Sequence, residues 1–103
     1  MKRLLLGMPA FVVSMALVTA AALGYPGQQY AKQARITIDQ ARSIVAHVMP
    51  SGKIVGEELE REAGGSGLRY SFDVKAGGKT YEVGVDAKTG AILEKALEGA
   101  SPD

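Results

Sequence analysis

Hydrophobic and polar residues alternate without a break over residues 68–75, and they alternate again over residues 79–86. A period of two residues is typical of a β-strand that has one buried face and one exposed face. The link between the two runs is short and contains Gly77 and Gly78. Because short links of this kind join antiparallel strands, the two runs are predicted to form a hairpin.

The predicted hairpin has an apolar face and a polar face. The apolar residues are expected to form a core rather than line a ligand pocket, and they include Tyr70, Phe72, Val74, Tyr81, Val83 and Val85. Each large side chain buried there should stabilise the fold by about 1.5–3 kcal/mol. The polar face is a candidate surface for contact with a partner, and its residues are Arg69, Ser71, Asp73, Lys75, Thr80 and Glu82.

A helix that could cover the apolar face is predicted to begin after Thr37. Thr37 is a good N-cap residue, and Gln40 completes the capping-box pattern three residues later. Pro50 and Gly52 are expected to end the helix. Its apolar residues share one side at about 100° per residue, and they are Ile38, Ala41, Ile44, Val45, Val48 and Met49.

Two further strands complete the predicted sheet. Ile54 and Val55 are typical of a strand, whereas residues 57–62 have helical propensity. A strand with unbroken alternation over residues 53–62 is preferred, because a hairpin alone makes a marginal sheet. The many charges of this strand indicate an edge position. A tight turn with Asp86, Thr89 and Gly90 should precede a short fourth strand over residues 91–94. The expected class is α+β, with one N-terminal helix packed on an antiparallel sheet of three to four strands.

The N-terminus has the three-part pattern of a secretory signal peptide: Lys2 and Arg3, then an uncharged apolar stretch, then small residues. An uncleaved membrane anchor over residues 4–23 is the alternative, since that stretch is about long enough to span a bilayer. The protein is therefore expected to be periplasmic or extracellular, or tethered to the inner membrane. The predicted segments are a signal peptide (1–24), a mobile linker (25–35), one folded domain (36–97) and a flexible tail (98–103).

Composition excludes several classes of function. The 103 residues suffice for one small domain. There is no cysteine, so no disulfide braces the fold. The chain has 12 Lys or Arg against 11 Asp or Glu, and this balance gives no indication of nucleic-acid binding. Contact with a membrane is expected only through the N-terminal segment.

No catalytic, metal or cofactor site is predicted. His47 is the one histidine, and it falls on the polar side of the predicted helix without partner ligands. The sequence has no cysteine and no serine in a nucleophile elbow. The glycine-rich stretch at residues 64–67 lacks the Lys-Ser/Thr of a phosphate loop. The acidic run over residues 57–62 lacks the ligand spacing of a calcium loop.

Three segments of the chain resemble the PepSY family, whose domains occur in peptidase propeptides. The segments are residues 36–41 (ITIDQA), residues 68–74 (LRYSFDV) and residues 81–93 (YEVGVDAKTGAIL), of which the last is the most specific. The resemblance implies a helix packed on an antiparallel sheet. It also implies a non-catalytic exported module that binds and restrains a peptidase or another envelope protein. A stand-alone sensor of a small molecule or metal is the alternative, and self-association is left open.

Overall fold

The computed structural model describes residues 24–99. The predicted signal peptide or anchor lies outside the described residues apart from Gly24, and so does most of the predicted tail. Within residues 24–99, no helix combines the length and the apolar character needed to cross a membrane.

One α-helix packs on a four-stranded antiparallel sheet, which confirms the predicted α+β class. The sheet order is β1-β2-β3-β4, so each strand pairs with its neighbour in the chain. The preference for a strand over a helix near residues 53–62 is also confirmed, while β4 is longer than predicted. The elements are a 3-10 helix η1 (Gln28–Gln33), α1 (Ile38–Val48), β1 (Lys53–Arg61), β2 (Leu68–Ala76), β3 (Lys79–Asp86) and β4 (Ile92–Leu97).

Helix α1 begins with a complete capping box. The Thr37 hydroxyl accepts a hydrogen bond from the Gln40 backbone N–H at 3.1 Å. The Gln40 side chain in turn accepts one from the Thr37 N–H at 2.8 Å. Two N–H groups that the first turn cannot pair internally are thereby satisfied. The cap orients the helix so that Ala41 and Val45 are fully buried against the sheet.

The core lies between α1 and the two central strands. Phe72 pairs with Val83, and Tyr70 with Val85, in the β2–β3 register. Leu59 of β1 lies opposite Tyr70 and extends the core to the next strand. All of these side chains are buried. The apolar residues of the alternating pattern in β2 and β3 therefore lie on the side of the sheet that the helix covers.

A β-bulge at Val55 changes which side chains of β1 face the core. The register with β2 shifts between Ile54 and Gly56. Ile54 pairs with Val74, and Leu59 also faces the core, although unbroken alternation would place these two residues on opposite faces. The unbroken alternation predicted for residues 53–62 is therefore wrong at Val55. The inserted residue, Val55, is 49% exposed.

Residues 25–35 differ from the mobile linker expected from the sequence. They include η1, and their partly buried apolar residues pack against the core: Tyr25, Tyr30, Ala31 and Ala34. The Leu59 N–H donates a hydrogen bond to the Pro26 carbonyl at 2.9 Å. The Arg61 guanidinium lies 4.7 Å from the centre of the Tyr30 ring, within the range of a cation–π contact. The segment thus covers part of the outer edge of β1.

Candidate functional site

The face of the sheet opposite α1 carries most of the polar residues of the strands. Side chains alternate along each strand, so the residues between the core positions of β1 to β4 share this second face. We call it the open face. Its central residues are Glu58, Glu60, Arg69, Ser71, Asp73, Lys75, Thr80, Glu82, Gly84, Glu94 and Ala96. Five carboxylates thus share one surface with two cationic side chains.

Arg69 lies flat across the open face and is only 6% exposed. Its Nη1 donates to Glu94 at 3.3 Å, and its Nη2 donates to the Ala63 carbonyl at 3.2 Å. The path crosses Gly84, where a β-carbon would lie 3.1 Å from Nη1. Gly84 therefore leaves the space that the guanidinium occupies. The buried Nε has no hydrogen-bond partner among the described residues.

Ser71 is also buried, with 5% of its surface exposed. Its hydroxyl donates to the Glu60 carboxylate at 2.7 Å. Of the predicted partner-contact residues, Arg69 and Ser71 thus lie beneath a layer of carboxylates and hold two of them in place. Lys75 is exposed, and three others are half-buried: Asp73, Thr80 and Glu82.

The carboxylates of the open face interact unfavourably with one another. Burial raises the pKa of Glu82, and repulsion from Glu94 and Asp73 raises it further. Burial raises the pKa of Glu58 as well, with a further contribution from Glu60. A depression of about 180 Å³ opens between Glu58, Asp73 and Glu82, with Ser71 among its lining residues. The face is therefore a cation-attracting surface whose negative charge is only partly balanced within the chain.

The β3–β4 turn is organised by the buried carboxylate of Asp86. It accepts hydrogen bonds from the N–H and hydroxyl of Ser66 at 2.7 and 2.8 Å, and from the N–H groups of Lys88 and Thr89 at 2.8 and 3.1 Å. Burial would raise the pKa of Asp86, but these hydrogen bonds outweigh it and lower the pKa to about 2. Gly90 adopts a φ of 82°, which favours glycine.

These contacts make the turn a structural link between two loops. The Thr89 hydroxyl accepts from the Ala91 N–H at 3.2 Å and closes the turn. Ser66, in the β1–β2 loop, was not predicted to contribute. Serine in a glycine-rich loop is a common surface residue, and only the fold brings it to Asp86.

The sequence profile of the PepSY family, described as peptidase propeptide and YPEB domain, matches residues 35–96. The chain belongs to the PepSY family. The matched residues span α1 and nearly all of the sheet. Among curated proteins and solved structures, none matches the chain at a significant level. PepSY is a family of peptidase propeptides and regulatory domains, generally without catalytic activity and typically extracellular or periplasmic.

On the helix side, this PepSY domain has a cavity of about 310 Å³ between η1, the start of α1 and β2. Tyr70, predicted as a core residue, is buried and also lines this cavity. Its hydroxyl donates to the Ile36 carbonyl at 2.8 Å. Burial and the neighbouring Tyr25 hydroxyl raise the pKa of Tyr70 to about 12.

The polar side of the cavity is formed by Arg42, which joins α1 to β1. Its Nε and Nη2 donate to the Glu57 carboxylate at 2.8 and 2.5 Å, and its Nη1 contacts Asp39. The paired carboxylates raise the pKa of Arg42. The Arg42 guanidinium therefore has its hydrogen-bond partners within the PepSY domain.

Residues 24–99 contain no group of three or more His, Cys, Asp or Glu side chains arranged to hold a metal ion. The carboxylates of the open face lie on four different strands, which spreads their charge. His47 is exposed on α1. This distribution suits a broad positively charged surface better than a single coordinated cation.

Proposed function

We propose that the protein is a non-catalytic regulatory module of the cell envelope that binds a peptidase through the open face. The observation that carries the proposal is the excess of carboxylates on that face. Complementary charge on a partner accelerates association and excludes partners of the wrong charge. Burial and, second to it, repulsion from neighbouring carboxylates raise the pKa values of Glu58 and Glu82, and a basic surface placed against them would relieve that repulsion. The PepSY family supports the peptidase as partner.

A comparison of the unmodified protein with a variant whose open face carries reversed charges tests this function. Full-length protein would be immobilised in mild non-ionic detergent and exposed to an envelope extract, and the peptidase activity of the bound and unbound fractions would be measured. We expect the protein to retain a peptidase and to lower its activity. The variant Glu58→Lys/Glu82→Lys should retain much less, and Asp39→Asn, on the exposed side of α1, should behave like the unmodified chain. Recovery of no protein at near-native abundance would overturn the proposal.

The proposed location, beyond the inner membrane, can be tested separately. If the N-terminal segment is a cleaved signal peptide, the protein from its native envelope should begin between Ala21 and Tyr25. Intact-mass measurement decides this, and a mass that includes Met1 to Ala20 would indicate an anchor instead.

A second candidate function is a sensor of a small molecule, and the cavity beside Tyr70 favours it. Its volume of about 310 Å³ lies at the lower end of the range for ligand pockets. A ligand that binds only the folded state raises the melting temperature. A thermal-shift screen with small envelope metabolites and divalent metals would therefore test the sensor function. An unchanged melting temperature throughout the screen would eliminate it.

A further inference from the structure

The two edge strands of the sheet differ in the hydrogen bonding of their outward backbone groups. On β1, the outward N–H of Leu59 is bonded to Pro26, and the bulge at Val55 interrupts the regular edge. On β4, the register with β3 shifts between Gly84 and Val85, so residues 94–97 form the regular part of the strand, and no strand of residues 24–99 lies on its outer side. An unpaired strand edge is a template on which another strand can form.

The register identifies the free backbone groups of β4. The Glu98 N–H donates to the Thr80 carbonyl at 2.8 Å, which sets the phase of the ladder with β3. Hydrogen-bonded and non-bonded pairs alternate along an antiparallel ladder. Glu98, Ala96 and Glu94 therefore direct their backbone groups toward β3, whereas Lys95 and Leu97 direct theirs outward.

The side chains along β4 offer two different surfaces to an added strand. On the helix side, Ile92 and Leu97 are 37% and 38% exposed, and they are among the few exposed large apolar residues of the described chain. Lys95 lies between them on the same side, and its Nζ donates to the Val48 carbonyl at 3.4 Å. On the open face, Glu94 lies beside the small residue Ala96, which pairs with Glu82. A long cationic side chain opposite Ala96 could reach over it to the Glu82 carboxylate.

We propose that the outer edge of β4 binds an extended segment of the partner as a fifth strand, and that this segment alternates apolar residues with Lys or Arg. The proposal deepens the proposed function and rests on it. Alternate side chains of a strand point to opposite faces. The apolar residues of the segment would contact Ile92 and Leu97, and its cationic residues would lie on the open face beside Glu82 and Glu94.

A second copy of the chain fits this edge less well. Symmetric antiparallel pairing of two β4 strands about Glu94 or Lys95 places that residue opposite its own copy. Pairing about Ala96 places Glu94 opposite Glu98. Like charges directly opposite one another destabilise a pair of strands. Such a dimer would also join two acidic faces into one.

The test uses three short blocked peptides and the full-length protein, labelled with nitrogen-15 and kept in mild non-ionic detergent. The first peptide alternates valine with lysine, the second replaces each lysine by glutamate, and the third carries N-methyl groups on the amides that would face β4. We expect the first peptide to shift the amide resonances of Lys95 and Leu97. The other two should bind at least about tenfold more weakly. The glutamate peptide loses the attraction to the carboxylates of the open face, and the methylated peptide loses the backbone hydrogen bonds to β4. Binding of the first peptide should weaken with added salt.

Matched variants of the protein separate charge from fold. Glu82→Gln should weaken binding of the lysine peptide several-fold, whereas Asp39→Asn should leave it unchanged. The N-methylated peptide leaves the protein untouched, so its result does not depend on how any variant folds. Equal binding of the methylated and unmethylated peptides would overturn strand addition. Shifts confined to residues around the Tyr70 cavity would also overturn it, as would shifts at Lys95 and Leu97 that depend on protein concentration alone and so indicate a second copy.

The experiments distinguish failure of the inference about β4 from failure of the proposed function. If the envelope partner binds but the lysine peptide does not compete with it, the inference about β4 fails while the proposed function stands. If the peptide binds to β4 but no envelope protein is retained, the edge is a strand-binding site and the proposed function fails.

Discussion

Over residues 68–72, the two faces of β2 are both buried, but by different means. On the helix side, Phe72 is 1% exposed because apolar residues of neighbouring elements surround it. On the open face, its neighbour Ser71 is covered by polar side chains, including the Glu60 carboxylate that accepts a hydrogen bond from its hydroxyl. Burial on the first side gains free energy from the removal of apolar surface from water. Burial on the second side depends on hydrogen bonds and places like charges close together.

The largest difference between the faces should appear at adjacent residues of β2. Phe72→Ala should lower the free energy of unfolding by about 3–5 kcal/mol, because it removes buried surface and leaves a cavity. Asp73→Ala, on the open face, should change it by less than about 0.5 kcal/mol. Urea denaturation of the full-length protein in mild detergent, followed by circular dichroism, measures both. Equal destabilisation would show that packing is as important on the open face as on the helix side.

The next largest effect is expected at Asp86, where the open face meets the end of the sheet. Asp86→Asn keeps the shape of the side chain but removes the charge that four hydrogen bonds stabilise. The lowering of the pKa from 3.8 to about 2 corresponds to about 2 kcal/mol of stability at neutral pH. Ser66→Ala should cost less, because the Lys88 and Thr89 N–H groups still bond the carboxylate. A denaturation midpoint for Asp86→Asn equal to that of the unmodified chain would refute this role.

The sequence predicted the helix side of the molecule better than the open face. Residues 68–75 and 79–86 alternate, and the position of α1 follows from Thr37, Gln40 and the apolar residues that it buries. Alternation reports the polarity of a side chain rather than its exposure. It therefore indicated that Arg69 and Ser71 face away from the helix, but not that neighbouring carboxylates cover them.

Two further features of the structure leave no periodic pattern in the amino-acid sequence from which they could be predicted. The bulge at Val55 adds a single residue, so the change of face between Ile54 and Leu59 depends on the pairing with β2. The 3-10 helix η1 is too short to show an amphipathic period, and its contacts are to β1, distant in the chain. In both cases the decisive interactions are tertiary.

A smaller effect is expected where the helix meets the sheet. Thr37→Ala removes the hydroxyl that accepts the Gln40 N–H and should cost about 0.5–2 kcal/mol. Since α1 covers only one face, the loss should increase hydrogen exchange in α1 and leave the amides of β4 unaffected. Thr37→Ser keeps the hydroxyl and serves as the control. If Thr37→Ala and Thr37→Ser denature at the same midpoint, the cap contributes nothing measurable.

The smallest effect concerns the charge of the open face and its dependence on pH. The raised pKa values of Glu58 and Glu82 mean that the folded state binds their protons more tightly than the unfolded state does. Stability should therefore rise as pH falls from neutral through these raised values toward 4.5. The lowered pKa of Asp86 acts in the opposite direction, and its contribution should be lost between 3.8 and about 2.

Glu82→Gln tests this dependence on pH. The substitution should raise stability at neutral pH by less than about 1 kcal/mol, and it should flatten the rise in stability under mildly acidic conditions. Denaturation midpoints across the pH range measure both changes. A midpoint for Glu82→Gln below that of the unmodified chain at neutral pH would mean that the carboxylate stabilises the face.

The sequential order of the four strands also has a kinetic consequence. Because each strand pairs with its neighbour in the chain, most contacts of the sheet are local, and local contacts favour rapid folding. A hairpin such as β2–β3 can form within about 1–10 μs. The contact between Tyr70 and Ile36 closes a separation of 34 residues and should form later. No strand of residues 24–99 lies on the outer edge of β4. We therefore expect this edge to form as part of a sheet that assembles before the helix finishes docking.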